Sequence, residues 1–118
     1  MSENLSRVKE DALFEEVANH FSLFSEPTRL KILNSLCKGE KSVGEIVTAV
    51  ASTQANVSRQ IGLLYRGKIL AKRKDGTQVF YRVDDQRTLV LCQSVCREIS
   101  DRIGIVSETL LMDVKKSP

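Results

Sequence analysis

Two sets of residues in this chain have the types and spacing to do chemistry. The first is sulfur: Cys37, Cys92 and Cys96, the last two four positions apart. Side chains at i and i+4 stand one above the other on a helix, so Cys92 and Cys96 can approach a single soft ion. Cys37, from elsewhere in the fold, would supply a third thiolate. Three sulfurs with no nitrogen partner suit trivalent arsenic or antimony better than tetrahedral zinc, and another thiophilic metal less well. The bland reading is that all three are core residues, since free cysteine behaves as a small, often buried hydrophobe.

The second set is Thr53-Gln54-Ala55-Asn56-Val57-Ser58-Arg59, a run of short donors and acceptors ending in an arginine. A helix opening this way suits the floor of a DNA major groove, where base edges must be met by compact hydrogen-bonding groups. Gln54, Asn56 and Arg59 are the candidates for bases, because glutamine and asparagine pair with adenine and arginine with guanine. Thr53 and Ser58 are assigned to phosphate. Lys72, Arg73 and Lys74 follow in a charged hairpin and are candidates for phosphate or minor-groove contact, with Gln78 in reach. A solvated polar helix face would look similar, but the basic hairpin beside it favours double-stranded operator DNA as partner.

Amphipathic elements must position these groups. Leu13, Phe14, Val17, Phe21 and Phe24 recur at helical spacing from Ala12, leaving residues 1–11 as a flexible N-terminal tail ahead of one domain, 12–118. Ser25-Glu26-Pro27 starts a second helix with Ser25 as N-cap, and Gly39 ends it. Ser42-Val43-Gly44-Glu45 is a capping box opening a short third helix that buries Val43, Ile46, Val47 and Val50. Thr53 caps the fourth, whose inward face is Val57, Ile61 and Leu64, and Gly67 stops it. Lys74-Asp75-Gly76-Thr77 turns a hairpin between Leu70 and Val83, with Asp-Gly suited to the positive φ of a primed turn. A long last helix, roughly Gln86 to Met112, carries an apolar stripe through Leu89, Cys92, Val95, Cys96, Ile99, Ile103, Val106 and Leu110. The expected fold is mainly α with a small β-hairpin, a winged helix-turn-helix of order ααααββα. A stripe this long exceeds what a small head can cover, so the first and last helices are expected to pair in a C₂ homodimer through Leu13, Val17, Leu89, Ile99, Ile103, Val106 and Leu110.

Bulk properties agree without deciding. The chain has 118 residues, 18 basic against 15 acidic, a net charge of +3. That total favours an anionic partner weakly; the crowding of Arg66, Lys68, Lys72, Arg73 and Lys74 says more. With no secretory or membrane-spanning segment, a cytoplasmic protein with no membrane partner is expected, whose cysteines are not a disulfide framework. There is no nucleophile with a histidine partner and no Gly-rich phosphate loop, so an enzyme is not expected.

Three segments in register carry a resemblance. Ser25-Glu-Pro-Thr-Arg-Leu-Lys-Ile-Leu33 resembles the second-helix signature of the ArsR/SmtB family of winged-helix repressors. The stretch from Thr53 to Leu70 resembles its recognition helix and exit, and Gly76-Thr-Gln-Val-Phe-Tyr-Arg-Val83 the return strand of its wing. The resemblance covers about residues 12–100 and implies a homodimeric repressor that leaves its operator when a metal, metalloid or sulfur oxidant reacts with the protein. The Cys-x-Cys of the family's third-helix metal box is absent, since Lys41–Glu45 holds no cysteine. The histidines of its last-helix zinc site are absent too: His20, in the first helix, is the single histidine. One branch senses persulfide through a cysteine directly after the Ile-Leu of the signature, where this chain has Asn34, and a second near Ser100. Here Cys37 falls one turn later and Cys96 one turn earlier. If the helices run antiparallel, the displacements compensate, and a Cys37–Cys96 or Cys37–Cys92 thiol switch is the alternative to metalloid binding. A non-sensing regulator with structural cysteines is the remaining one.

Overall fold

The structure, a computed structural model, describes residues 2–105. Five helices and three short strands follow one another as α1 (Ser2–Ser22), α2 (Pro27–Ser35), β1 (Lys41–Ser42), α3 (Val43–Val50), α4 (Gln54–Arg66), β2 (Leu70–Asp75), β3 (Gln78–Val83) and α5 (Gln86–Ile103). Helices α2, α3 and α4 pack on one another, and α4 leans on β2. The core they enclose is aliphatic: Ile32, Ile46, Val57 and Leu64 are fully covered, with Leu33, Leu36, Ile61, Ile69 and Leu70 nearly so. Each such side chain contributes about 1.5–3 kcal/mol relative to exposure.

The local signals for α3 and α4 are realised as expected. Ser42 Oγ accepts from the Glu45 amide (3.2 Å) while the Glu45 carboxylate accepts from the Ser42 amide (2.9 Å). Val47 and Val50 each lie about one turn on from Val43 and Ile46, so one stripe faces inward. Ala51 turns the chain in a left-handed conformation (φ 54°), and Thr53 Oγ1 caps α4 by accepting from the Asn56 amide (3.2 Å). A three-residue turn thereby sets the two helices of the DNA-reading motif against each other.

Several boundaries differ from the sequence expectation. The tail expected over residues 1–11 is helical from Ser2, in continuity with α1. The N-cap of α2 is Glu26 rather than Ser25. Pre-proline Glu26 is extended (φ −128°, ψ 128°), so its carboxylate reaches the Thr28 and Arg29 amides, at 3.0 and 3.1 Å. Those amide bonds hold the Glu26 carboxyl below the usual carboxylate range. Ser25 Oγ instead donates backwards to the Ser22 carbonyl. Helix α2 stops at Ser35, before Gly39, because its last turn tightens: the Leu36 amide is shared between the Ile32 and Leu33 carbonyls and the Cys37 amide bonds Asn34. Cys37 therefore sits in a turn.

The sheet has a strand that the pattern did not reveal. Two-residue β1 pairs antiparallel with β3, giving the order β1-β3-β2. The hairpin register places Asp75 opposite Gln78, so Gly76 and Thr77 are the turn's central pair and the positive φ (63°) falls on Gly76. Helix α5 ends at Ile103, not near Met112, because Gly104 adopts φ 74° and caps it with its amide on the Ser100 carbonyl. Val106 and Leu110 lie outside the described residues. Leu89, expected at a subunit interface, is 7% exposed and belongs to the protomer's own core, since it follows the Asp85 cap on the inward turn of α5. By contrast Leu13, Phe14, Val17 and Phe21 on α1, and Val95, Ile99 and Ile103 on α5, are exposed. No helix among the described residues is long and apolar enough to cross a membrane.

Candidate nucleic-acid interface and cysteine cluster

Helix α4 buries Val57, Ile61 and Leu64, which turns Gln54, Ala55, Ser58 and Arg59 to solvent, with Thr53 exposed just ahead of them. Asn56 differs from the expectation for a base reader. It is half-buried, and both ends of its amide are engaged: Nδ2 donates to Ser52 Oγ (3.0 Å) and Oδ1 accepts from Arg59 and Gln60. Gln60 itself, absent from the sequence reading, is 5% exposed and is the polar member of the inward face.

The wing divides by strand alternation. Lys72 lies over the Tyr65 ring, 4.5 Å from its centroid, which ties the wing's base to α4 while leaving the residue exposed. Lys74 is exposed near the tip on the same face as Lys72, while Gln78, opposite Asp75, is exposed on the reverse face. Arg73 also points to the reverse face, where it stacks on Phe80 (4.7 Å) and forms a bidentate pair with Glu40, with Asp75 beside it. That pairing holds the Glu40 carboxyl below the usual carboxylate range. Arg73 is thus a wing-to-β1 tie, and Lys72, Lys74 and Gln78 remain as the exposed candidates.

The three cysteines share a neighbourhood at the core. Cys92 is buried in the core; Cys37 and Cys96 are half-buried against it, and none forms a disulfide. Cys37 Sγ donates to the Leu33 carbonyl (3.3 Å). Burial pushes the Cys92 thiol up to about 11, with added repulsion from Cys96, Asp85 and Cys37. Burial also raises Cys37, with Cys96 adding to it. Both thiols are neutral near pH 7. Among the described residues no three His, Cys, Asp or Glu side chains are arranged to hold a metal ion. Cys37 lies in the turn past α2, whereas Cys92 and Cys96 lie one turn apart on α5.

His20 Nε2 lies 2.9 Å from Thr88 Oγ1, and Thr88 donates to the Asp85 cap of α5. The end of α1 is thereby pinned to the start of α5, a contact between residues too far apart in sequence for spacing to reveal.

A helix-turn-helix with an exposed polar edge, followed by a basic two-stranded wing, defines a winged-helix DNA-binding protein. The match to the model of the bacterial regulatory proteins of the arsR family spans residues 26–66, from the cap of α2 through α4. The chain is 34% identical over 80 residues to the biofilm growth-associated repressor of Xylella fastidiosa, covering 68% of this chain and 70% of that one. Its fold matches the antimony-specific transcriptional repressor AntR with a TM-score of 0.71 at 26% identity, over 80% of this chain and 86% of AntR. It also matches a homodimeric winged helix-turn-helix DNA-binding domain from Mycobacterium bovis with a TM-score of 0.69 at 26% identity, over 80% and 87% of the two chains. The protein belongs to the ArsR family and is a transcriptional repressor of the winged helix-turn-helix type.

Proposed function

We propose that the protein is a cytoplasmic homodimer that reads a two-fold-related operator through α4 and leaves it when a thiophilic inducer binds its cysteines. The observation carrying the DNA half is the exposed edge of α4, where Gln54, Ser58 and Arg59 stand clear of the core while Thr53 caps the helix. Gln54 and Arg59 read bases; Thr53, Ser58, Lys72, Lys74 and Gln78 contact phosphate or the minor groove. Replacing Arg59 with alanine is expected to weaken specific binding by about 1–3 kcal/mol and to relax the preference at one base position. A titration of wild-type and variant protein against a selected operator and its single-base variants measures both. Unchanged affinity and preference would mean that α4 is not the reader.

The inducer we assign is trivalent arsenic or antimony, bound by Cys37, Cys92 and Cys96. The raised thiols favour this class. Arsenous acid is neutral, and each As–S bond forms as a thiol proton leaves with an arsenic hydroxyl as water, so three bonds release three waters and no net protons. A divalent ion must instead expel the protons, against a Cys92 thiol pushed up to about 11. Polysulfide attack also needs a thiolate, which neutral thiols supply slowly. The likeness to an antimony-specific repressor supports the same class. The second reading is a Cys37–Cys96 thiol switch, supported by the packing of both residues against the same core.

A further inference from the structure

Behind the exposed edge of α4 the polar side chains form one connected chain. Arg29 of α2 donates from Nε to the Leu23 carbonyl (2.8 Å), from Nη2 to the Ser22 carbonyl (3.2 Å) and from Nη1 to Gln60 Oε1 (2.6 Å). Buried Gln60 donates from Nε2 to Asn56 Oδ1 (3.2 Å), and that same oxygen accepts from Arg59 Nη2 (3.2 Å). A guanidinium has donors only, so Gln60 must turn its carbonyl to Arg29 and its NH₂ toward Asn56. An NH₂ only donates, so Asn56 must present its oxygen there and send Nδ2 to Ser52. One cation thus fixes the sense of every hydrogen bond out to Arg59, which finds an acceptor waiting and keeps four of its five N–H donors.

We propose that Arg29 and Gln60 are positioning residues for base reading: through Asn56 they hold the Arg59 guanidinium on the exposed edge of α4 without touching DNA themselves. This rests on α4 being the reading helix. An exposed arginine samples many rotamers, and restraining it beforehand lowers the ordering cost when it meets a base. Because Arg29 also grips the last carbonyls of α1, the reading edge is tied to the end of a helix that leaves the head.

The test uses the full chain and operator variants that differ at the position sensitive to Arg59→Ala. Gln60→Glu still satisfies Arg29 but cannot donate, so Asn56 must turn its NH₂ inward and Arg59 loses its acceptor. The base preference at that position is expected to fall at least about fivefold, the lower end of a good arginine–base contact. Adding Gln60→Glu to Arg59→Ala should cost no further preference. Asn56→Asp keeps the acceptor and should keep the preference, although its charge weakens binding to all sequences, whereas Asn56→Ala should lose it. A role confined to stability would lower Tm and weaken all sequences alike with the preference intact, and that result overturns the proposal. So does an Asn56→Asp variant that loses the preference as fully as Asn56→Ala, a comparison that decides the matter even if Gln60→Glu fails to fold. If Arg59→Ala alone shifts no preference, the assignment of α4 as reader fails first and this proposal with it. If Arg59→Ala shifts it and Gln60→Glu does not, only the positioning role fails.

Discussion

Ile99→Glu is expected to turn the dimer into folded monomers and to lower operator affinity about a thousandfold, toward the level of non-specific binding. Ile99 is 44% exposed and shares a face of α5 with Val95 and Ile103, all beside exposed Phe21 of α1 in an apolar groove of about 500 Å³. A helix like α1, with Leu13, Phe14 and Val17 bare along its length, gains little from its own protomer, since isolated helices are marginal in water. Covering both helices with a second copy accounts for the whole surface. A carboxylate at Ile99 would then have to be buried unpaired, once from each subunit. Because the side chain lies outside the core, the protomer should keep its helical content, whereas Leu89→Glu, in the core, should unfold it. Sedimentation and operator titration of the two variants make the comparison. An Ile99→Glu protein that still sediments as a dimer at micromolar concentration would place the subunit contact elsewhere.

The second large effect concerns coupling between inducer and DNA. Cys92 and Cys96 already share a helix face, so losing either should abolish tight metalloid binding. We expect the metalloid to draw Cys37 in from the turn after α2, which would cost its bond to the Leu33 carbonyl. That movement would pull the end of α2, and with it the α3–α4 unit packed on α2, relative to α5. Binding would thus favour a state in which the two reading helices no longer match the operator. A hundredfold loss of DNA affinity needs a preference of only about 2.7 kcal/mol for that state. Cys37→Ser is expected to retain weak two-thiol binding while leaving operator affinity unresponsive to arsenite. Arsenic-edge absorption should count about three sulfur neighbours in the wild type and two in the variant. Full release of DNA from Cys37→Ser would contradict the coupling.

How far the chain could be read in advance follows the range of its interactions. The capping box at Ser42–Glu45, the Thr53 cap and the Val57/Ile61/Leu64 face are local signals, carried within one or two helical turns, and each appears in the fold. The carboxylate cap at Glu26 is not legible beside Ser25, an equally good N-cap type, because the choice rests on the extended backbone that Pro27 imposes on Glu26. Strand β1 is two residues long, too short to show alternation. Gln60 was overlooked on the core-facing side of α4 because its burial depends on Arg29, thirty-one positions away. His20 gained its partner in the same way, from a threonine sixty-eight positions distant. The place of Cys37 in a turn depends on where α2 ends, which its tightened last turn decides and no residue type announces.

The most direct test of the account is the stability of the wild-type operator complex challenged in parallel with arsenite, antimonite, lead, zinc and polysulfide, followed by fluorescence anisotropy. Arsenite and antimonite are expected to release the DNA at about one equivalent per protomer, with zinc weak because it must displace protons from raised thiols. A complex that arsenite leaves intact while polysulfide dissolves it would contradict metalloid induction and favour a thiol switch in its place. A complex that none of the five disturbs would make the cysteines part of the core alone.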